Sequence, residues 1–282
     1  MTRFASLILA GLALGPAPSR GDVELADPGS LRKAFDQALS DFDEGQKILS
    51  AQPDRARQLF RSAAQKFSSI ASGGVVNGRL EFNLGNCFLQ AGDLGHAILH
   101  YRRAQQLIPG DPLLTDNLAL ARSRCLTQIP SARGDEVLRS LFFWHYQTSE
   151  AGRIRTGLAC YVLAFGLLIA AALARRRILT GSAVAVGMVA LLCGASVSLG
   201  RWSQRTAPPA VVTAMDVVVY RGPGTGYQRQ FEQPLQPGVE CIIRERRGGW
   251  WEIELPDGKS GWIEASSVET LTPTSVNDRV PR

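Results

Sequence analysis

Apolar and polar positions divide the chain into four stretches. Phe4–Leu14 is an 11-residue apolar run behind a single Arg3. Residues 30–127 read as a succession of helices, punctuated by Gly and Pro. Thr156–Ala174 and Ile178–Gly200 are 19 and 23 residues long and carry no charge. At ~1.5 Å per residue they would measure about 28 and 34 Å, against a hydrocarbon layer of about 30 Å. Residues 210–270 change character. Val211–Val219 is rich in β-branched residues, and the short runs Glu240–Arg244, Trp250–Leu255 and Gly261–Glu264 follow, separated by Gly and Pro. Five short strands closing a small barrel are predicted there.

The first run is too short to span a bilayer and is broken by Gly15, Pro16 and Pro18. With Ala17 and Ser19 as the small residues before a cleavage point, residues 1–19 read as a signal peptide. The two long runs read as a transmembrane hairpin, 156–174 and 178–200, with Arg175–Arg177 as its cytoplasmic turn. Trp144, Tyr146 and Trp202 flank the other end as an aromatic belt, and residues 131–155 read as an aromatic interfacial linker helix. Small residues recur every four positions at Gly166, Ala170, Ala174 and at Ala190, Gly194, Ser198, which offers a close helix contact. Both large segments then lie outside the cytoplasm. Arg153, Arg155, Arg201 and Arg205 stand on that outer side, against the usual bias.

The composition is that of a folded chain: 45% hydrophobic and 20% charged residues over 282 positions. The net charge of +6 does not point to nucleic acid. Half of it is the Arg175–Arg177 triplet, and residues 201–282 balance 10 basic against 10 acidic groups. No soluble stretch has the basic stripe that phosphate backbones require.

Within the helical stretch, Gly78–Asp111 holds one 34-residue unit. Gly85, Ala97 and Ala104 are small where two helices must touch, and Leu84, Phe88 and Tyr101 are large where the gap is filled. Gly92-Asp93 makes the turn and Pro109 ends the second helix. Ala56, Phe60 and Ala63, with Phe42 and Gly45 before them, repeat the pattern in weaker form, and Asn117-Leu118-Ala119 opens it again. This unit resembles a tetratricopeptide repeat, apart from Glu81 where the family has a large apolar residue. The resemblance implies a repeat domain over 20–130, with Arg79, Asn86 and Gln90 on its concave face.

In the last stretch, Tyr220-Arg221-Gly222-Pro223-Gly224-Thr225-Gly226-Tyr227 is a Gly/Pro loop closed by tyrosines. Leu235, Gly238, Gly249-Trp250-Trp251-Glu252-Ile253, Asp257-Gly258 and Gly261-Trp262-Ile263 follow in order. This order resembles bacterial SH3 (SH3b) domains over 210–270. The resemblance implies a shallow groove floored by Tyr220, Tyr227 and Trp250, with Trp262 as a further candidate. Trp262, after Gly261 at the start of the last strand, reads first as core or barrel-end packing, and Tyr227 and Trp250 stay open between groove and core. Strand alternation sets Trp251, Ile253 and Leu255 on one face as core candidates and Trp250 on the other. The glycines do not form a phosphate loop, since no Lys-Ser/Thr and no helix pattern follow. Residues 271–282 read as a disordered tail.

Catalytic signatures are missing. There is no CxxC, HExxH, GxSxG or Walker loop, and the five cysteines read as small buried hydrophobes. His96 and His100 stand at i, i+4 without a third ligand and read as surface positions. A hydrolase built on Cys87 and His96 is the competing reading. The expectation is no enzyme, no cofactor and no metal.

The fold class expected is therefore multidomain: all-α tetratricopeptide helical repeats, a two-helix transmembrane hairpin and a small all-β SH3-like barrel. That order resembles the BatE-like proteins of bacterial aerotolerance operons. Leu80–Arg122 carries most of the likeness, through Asn83-Leu84-Gly85-Asn86, Gly92-Asp93-Leu94-Gly95-His96-Ala97-Ile98 and Asn117-Leu118-Ala119-Leu120-Ala121-Arg122. It implies a non-catalytic scaffold in the cytoplasmic membrane, with both modules on the periplasmic side. Its partners would be von Willebrand A-domain membrane proteins and a MoxR-type ATPase, with peptidoglycan as the alternative ligand of the SH3b domain.

Overall fold

The computed structural model describes residues 28–127, 129 and 148–272. The expected signal peptide, most of the interfacial linker (131–147) and most of the tail (273–282) lie outside the described residues. The chain divides into two compact units, Met1–Gly92 and Asp93–Arg282.

The first unit contains α1 (Pro28–Ile48), α2 (Pro53–Ser72) and α3 (Gly78–Ala91). Ring pairs Phe35–Phe67 and Phe42–Phe60, each 5.3 Å apart, tie α1 to α2 and run in opposite directions along them, so the two helices are antiparallel. Gly45 is needed for this approach, because a Cβ there would sit 2.8 Å from the Phe60 ring. The core joins Ala63, Phe67, Leu80, Leu84 and Cys87. Asn77 caps α3 by accepting from the Arg79 and Leu80 amides, and Gly92 ends it at φ 86°.

The second unit begins with α4 (Leu94–Leu107) and α5 (Pro112–Ser123), each opened by an aspartate cap, Asp93 and Asp111. Ala97, Tyr101 and Ala104 on α4 and Leu118 on α5 are fully buried or nearly so. Next come α6 (Glu150–Ala174) and α7 (Arg177–Thr206), both long and apolar enough to cross a membrane. α6 starts ahead of its uncharged stretch and ends with it, α7 runs past its own at both ends, and residues 150–155, expected in the linker, belong to α6. The turn narrows to Arg175 and Arg176, with Arg175 at φ 49°. Large apolar side chains face outward along both helices, among them Leu158, Phe165, Leu173 and Leu191.

The helix seam is not the one expected from small-residue spacing. A Cβ at Gly166 or Gly194 would meet nothing within 4 Å. Contact runs instead through Gly157, where a Cβ would sit 3.1 Å from the Cys193 Cβ, and Ala164, whose Cβ lies 3.9 Å from a Cβ placed at Gly187. Gly157, Ala164 and Ala171 are spaced by seven residues, the repeat of a left-handed helix pair. Small residues are common all round such helices, so four-residue spacing picked a stripe whose glycines packing does not use.

The remainder is a five-stranded antiparallel sheet, β1 (Pro209–Val212), β2 (Glu240–Arg247), β3 (Trp250–Glu254), β4 (Ser260–Glu264) and β5 (Val268–Thr270), in the order β4-β3-β2-β1-β5. The β-branched run Val211–Val219 yields a strand only as far as Val212. Beyond it the chain enters a long loop pinned by bridges Val217–Leu235, Tyr220–Arg229 and Tyr220–Trp262. Val212, Val219, Ile243, Ile253 and Ile263 are the centre of the core.

α4 lies on β1 at backbone distance. A Cβ at Gly95 would be 2.9 Å from the Thr213 Cα and 3.0 Å from the Val212 oxygen. Replacing Gly95 by Val forces the helix off the strand. We expect Gly95→Val to destabilise the second unit by about 2–4 kcal/mol, read as a lowered thermal midpoint of the full chain in mild detergent, with Gly166→Val near the parent.

Candidate ligand-binding face of the C-terminal sheet

Gly248-Gly249, at φ 52° and 85°, make a two-residue turn between β2 and β3. The turn sets the register: Arg247 pairs with Trp250 and Arg246 with Trp251. A bulge at Arg244 re-aims the strand just before this end. Paired residues point to the same side of a sheet. Arg246 and Trp251 therefore share the core side, and Trp251 packs half-buried on the core with the Arg246 guanidinium 4.6 Å from its ring centroid. Ile253 and Leu255 are buried on that side.

Trp250 and Trp262 face the other way, with Glu252 between them in register. Tyr220 meets Trp250 edge-on at 5.6 Å. Its backbone exchanges two 2.8 Å hydrogen bonds with Trp262, the amide of each donating to the carbonyl of the other. Trp262 is only 7% exposed, and Arg247 lies 5.6 Å over its ring. Tyr220 and Trp250 thus form a half-exposed aromatic pair, and Trp262 is packed beside it, bound to Tyr220 through the backbone. Tyr227 stands apart on the loop, 53% exposed, its ring lying on Gly222 so closely that a Cβ there would sit 2.5 Å from it. Glu245 is bound to Arg247 at 2.6 Å beside the cluster. A surface of half-exposed rings edged by Arg and Glu can hold a planar or apolar group by stacking and orient it by hydrogen bonds.

Residues 214–269 match the bacterial SH3 domain family. The match takes in the long loop, β2, β3, β4 and part of β5. No curated protein and no solved structure matches the chain. The aromatic cluster of this SH3 domain lies toward the β3–β4 side of the sheet, away from β1 and β5, where α4 packs.

Arg246 and Arg247 are absent from the residues expected at the site. The signal for them was present: in Arg246-Arg247-Gly248-Gly249-Trp250-Trp251 a two-residue Gly-Gly turn sets each arginine opposite a tryptophan. On α3, Arg79 is exposed while Asn86 and Gln90 are half-buried, all on one helical stripe. Cys87 is fully buried, and burial pushes its thiol up to about 12, so it stays protonated at neutral pH.

The histidines depart from the surface reading. His100 is 8% exposed. His96 Nδ1 lies 2.7 Å from Asp93 and Nε2 lies 3.4 Å from Glu269 on β5. Hydrogen bonds to these two carboxylates hold His96 up at about 9, against its desolvation. Burial would raise Asp93, but its bonds from His96 outweigh this and lower it; Glu269 is lowered by the same His96 contact. Arg103 adds hydrogen bonds to the Leu271 and Thr270 carbonyls, and Arg102 and Arg122 both reach Glu240, at 3.0 and 2.6 Å. This polar layer fastens α4 and α5 to the SH3 domain, and among the described residues no group of His, Cys, Asp and Glu is arranged to hold a metal.

His96 is charged more readily folded than unfolded. Its contribution is full below the unfolded value of about 6.5 and is lost as pH rises through about 9. We expect the thermal midpoint of the full chain to fall between those values by an amount equivalent to roughly 2 kcal/mol, and His96→Gln to flatten that slope.

Proposed function

We propose that this chain is a non-catalytic scaffold of the bacterial cell envelope, held in the cytoplasmic membrane by the α6–α7 hairpin and binding other envelope proteins through its bacterial SH3 domain and its helical segment. The observation that carries this reading is the half-exposed aromatic cluster of the SH3 domain on the same chain as two membrane-length apolar helices. The Arg175–Arg176 turn sits on the cytoplasmic side in this reading, and the SH3 domain and the helices before the hairpin sit on the periplasmic side. The helices from α1 to α5 act as tetratricopeptide repeats, with Arg79, Asn86 and Gln90 as contacts. The likeness of Leu80–Arg122 to BatE-like proteins supports von Willebrand A-domain membrane proteins as partners. The second reading is peptidoglycan binding, favoured by the half-exposed rings of Trp250 and Tyr220, since aromatic faces also stack on sugars.

Two measurements separate the readings. Crosslinked full chain is captured from mild-detergent membranes and its companions identified; von Willebrand A-domain proteins in stoichiometric amount support the scaffold. Sedimentation with purified sacculi supports the wall reading. In either case Trp250→Ala should weaken the interaction about tenfold, with the fold intact. Equal binding by Trp250→Ala would remove the aromatic cluster from the site.

A further inference from the structure

We propose that arginines at the end of α7 and on β2 form a binding site for the phosphate of an anionic phospholipid headgroup. The inference rests on the membrane reading of α6 and α7 above. A cavity of about 700 Å³ opens between the end of the hairpin and the SH3 sheet, and Arg201, Arg205, Arg244 and Arg246 line it with Glu150 and Glu245. Both carboxylates are already engaged, Glu150 by Arg201 at 2.7 Å and Glu245 by Arg247 at 2.6 Å. Arg244 is held by Glu254 at 2.7 Å. Arg205 and Arg246 meet no carboxylate among the described residues, and Arg246 is oriented by its stack on Trp251. Among the described residues the cavity therefore carries two guanidinium groups, from two different elements, that no carboxylate meets, an arrangement that fits an anion with several acceptor oxygens.

Depth identifies which anion. The uncharged run ends at Gly200. Arg201 and Arg205 lie about 1.5 and 7.5 Å beyond it along the helix axis. The headgroup layer is about 5–8 Å thick on each side of the hydrocarbon. Trp202, 66% exposed, marks the same level. Lipid phosphates occupy this layer. They also account for arginines at the end of the hairpin where the charge bias disfavours them.

The test uses the full chain. It is extracted in mild detergent, supplied with equal phosphatidylglycerol and phosphatidylcholine, and its retained lipid is read by native mass spectrometry. Phosphatidylglycerol should be retained in preference, and Arg205→Gln/Arg246→Gln should cut that retention about tenfold, while Arg124→Gln leaves it unchanged. Should the double variant unfold, the Lys/Lys pair at the same positions reads the site by intermediate retention. Equal retention by folded double variant and parent overturns the proposal. Displacement of the lipid by millimolar inorganic phosphate also overturns it, in favour of a free-anion site. A chain that stays monodisperse in buffer without detergent overturns the membrane reading first, before any lipid is added, so the two failures are distinct.

Discussion

A helix can rest directly on a strand only where neither backbone carries a side chain into the gap. At Gly95 the distance from a would-be Cβ to the Val212 oxygen is 3.0 Å, and at Gly238, φ 97°, a Cβ would meet the Cys125 sulfur at 2.5 Å. These two glycines let α4 and the segment after α5 close on the sheet. Everything at that junction follows from the short distance: Ile98 reaches Gly238, His96 reaches Glu269, and Arg103 reaches the carbonyls ending β5. The SH3 domain is therefore packed against helices that lie before the hairpin in the chain. Its aromatic cluster lies away from this packing.

The polar layer at that junction works because each charge has a partner of opposite sign. A half-buried histidine between two carboxylates would be costly as an isolated cation, and the carboxylates would be costly without it. Together they hold an interface that is neither dry core nor open surface. The hairpin solves a different problem. Its large side chains face outward, its small ones inward, so packing between α6 and α7 relies on close backbone approach at Gly157 and Ala164 rather than on apolar burial.

Much of the candidate site's strand geometry is legible in the sequence. The alternation that places Ile253 and Leu255 inward and Trp250 outward is a property of any strand, and the structure has it so. The Gly-Gly turn carried the register of Arg246 and Arg247 as well, although the arginines were not read from it. Trp262 faces away from the core and yet is buried, because the long loop returns to bond its backbone through Tyr220. Tyr227, read as part of the floor, instead covers Gly222, a consequence of where the loop folds over. His96 and His100 looked like surface positions because a helical wheel shows only which residues share a face, not what meets that face.

What the residues alone determined was local: the helix turn at Gly92-Asp93, two membrane-length apolar runs, and the turn chemistry of the sheet. These depend on contacts within a few positions, where spacing and residue type suffice. What only the tertiary structure decided was long-range: the seam between α6 and α7, the backbone tie of Trp262 to Tyr220, the docking of α4 on β1 and the cavity shared by Arg205 and Arg246. Each of these joins residues far apart in the chain, and nothing in the local pattern selects one distant partner over another until the packed backbone brings them within bonding distance.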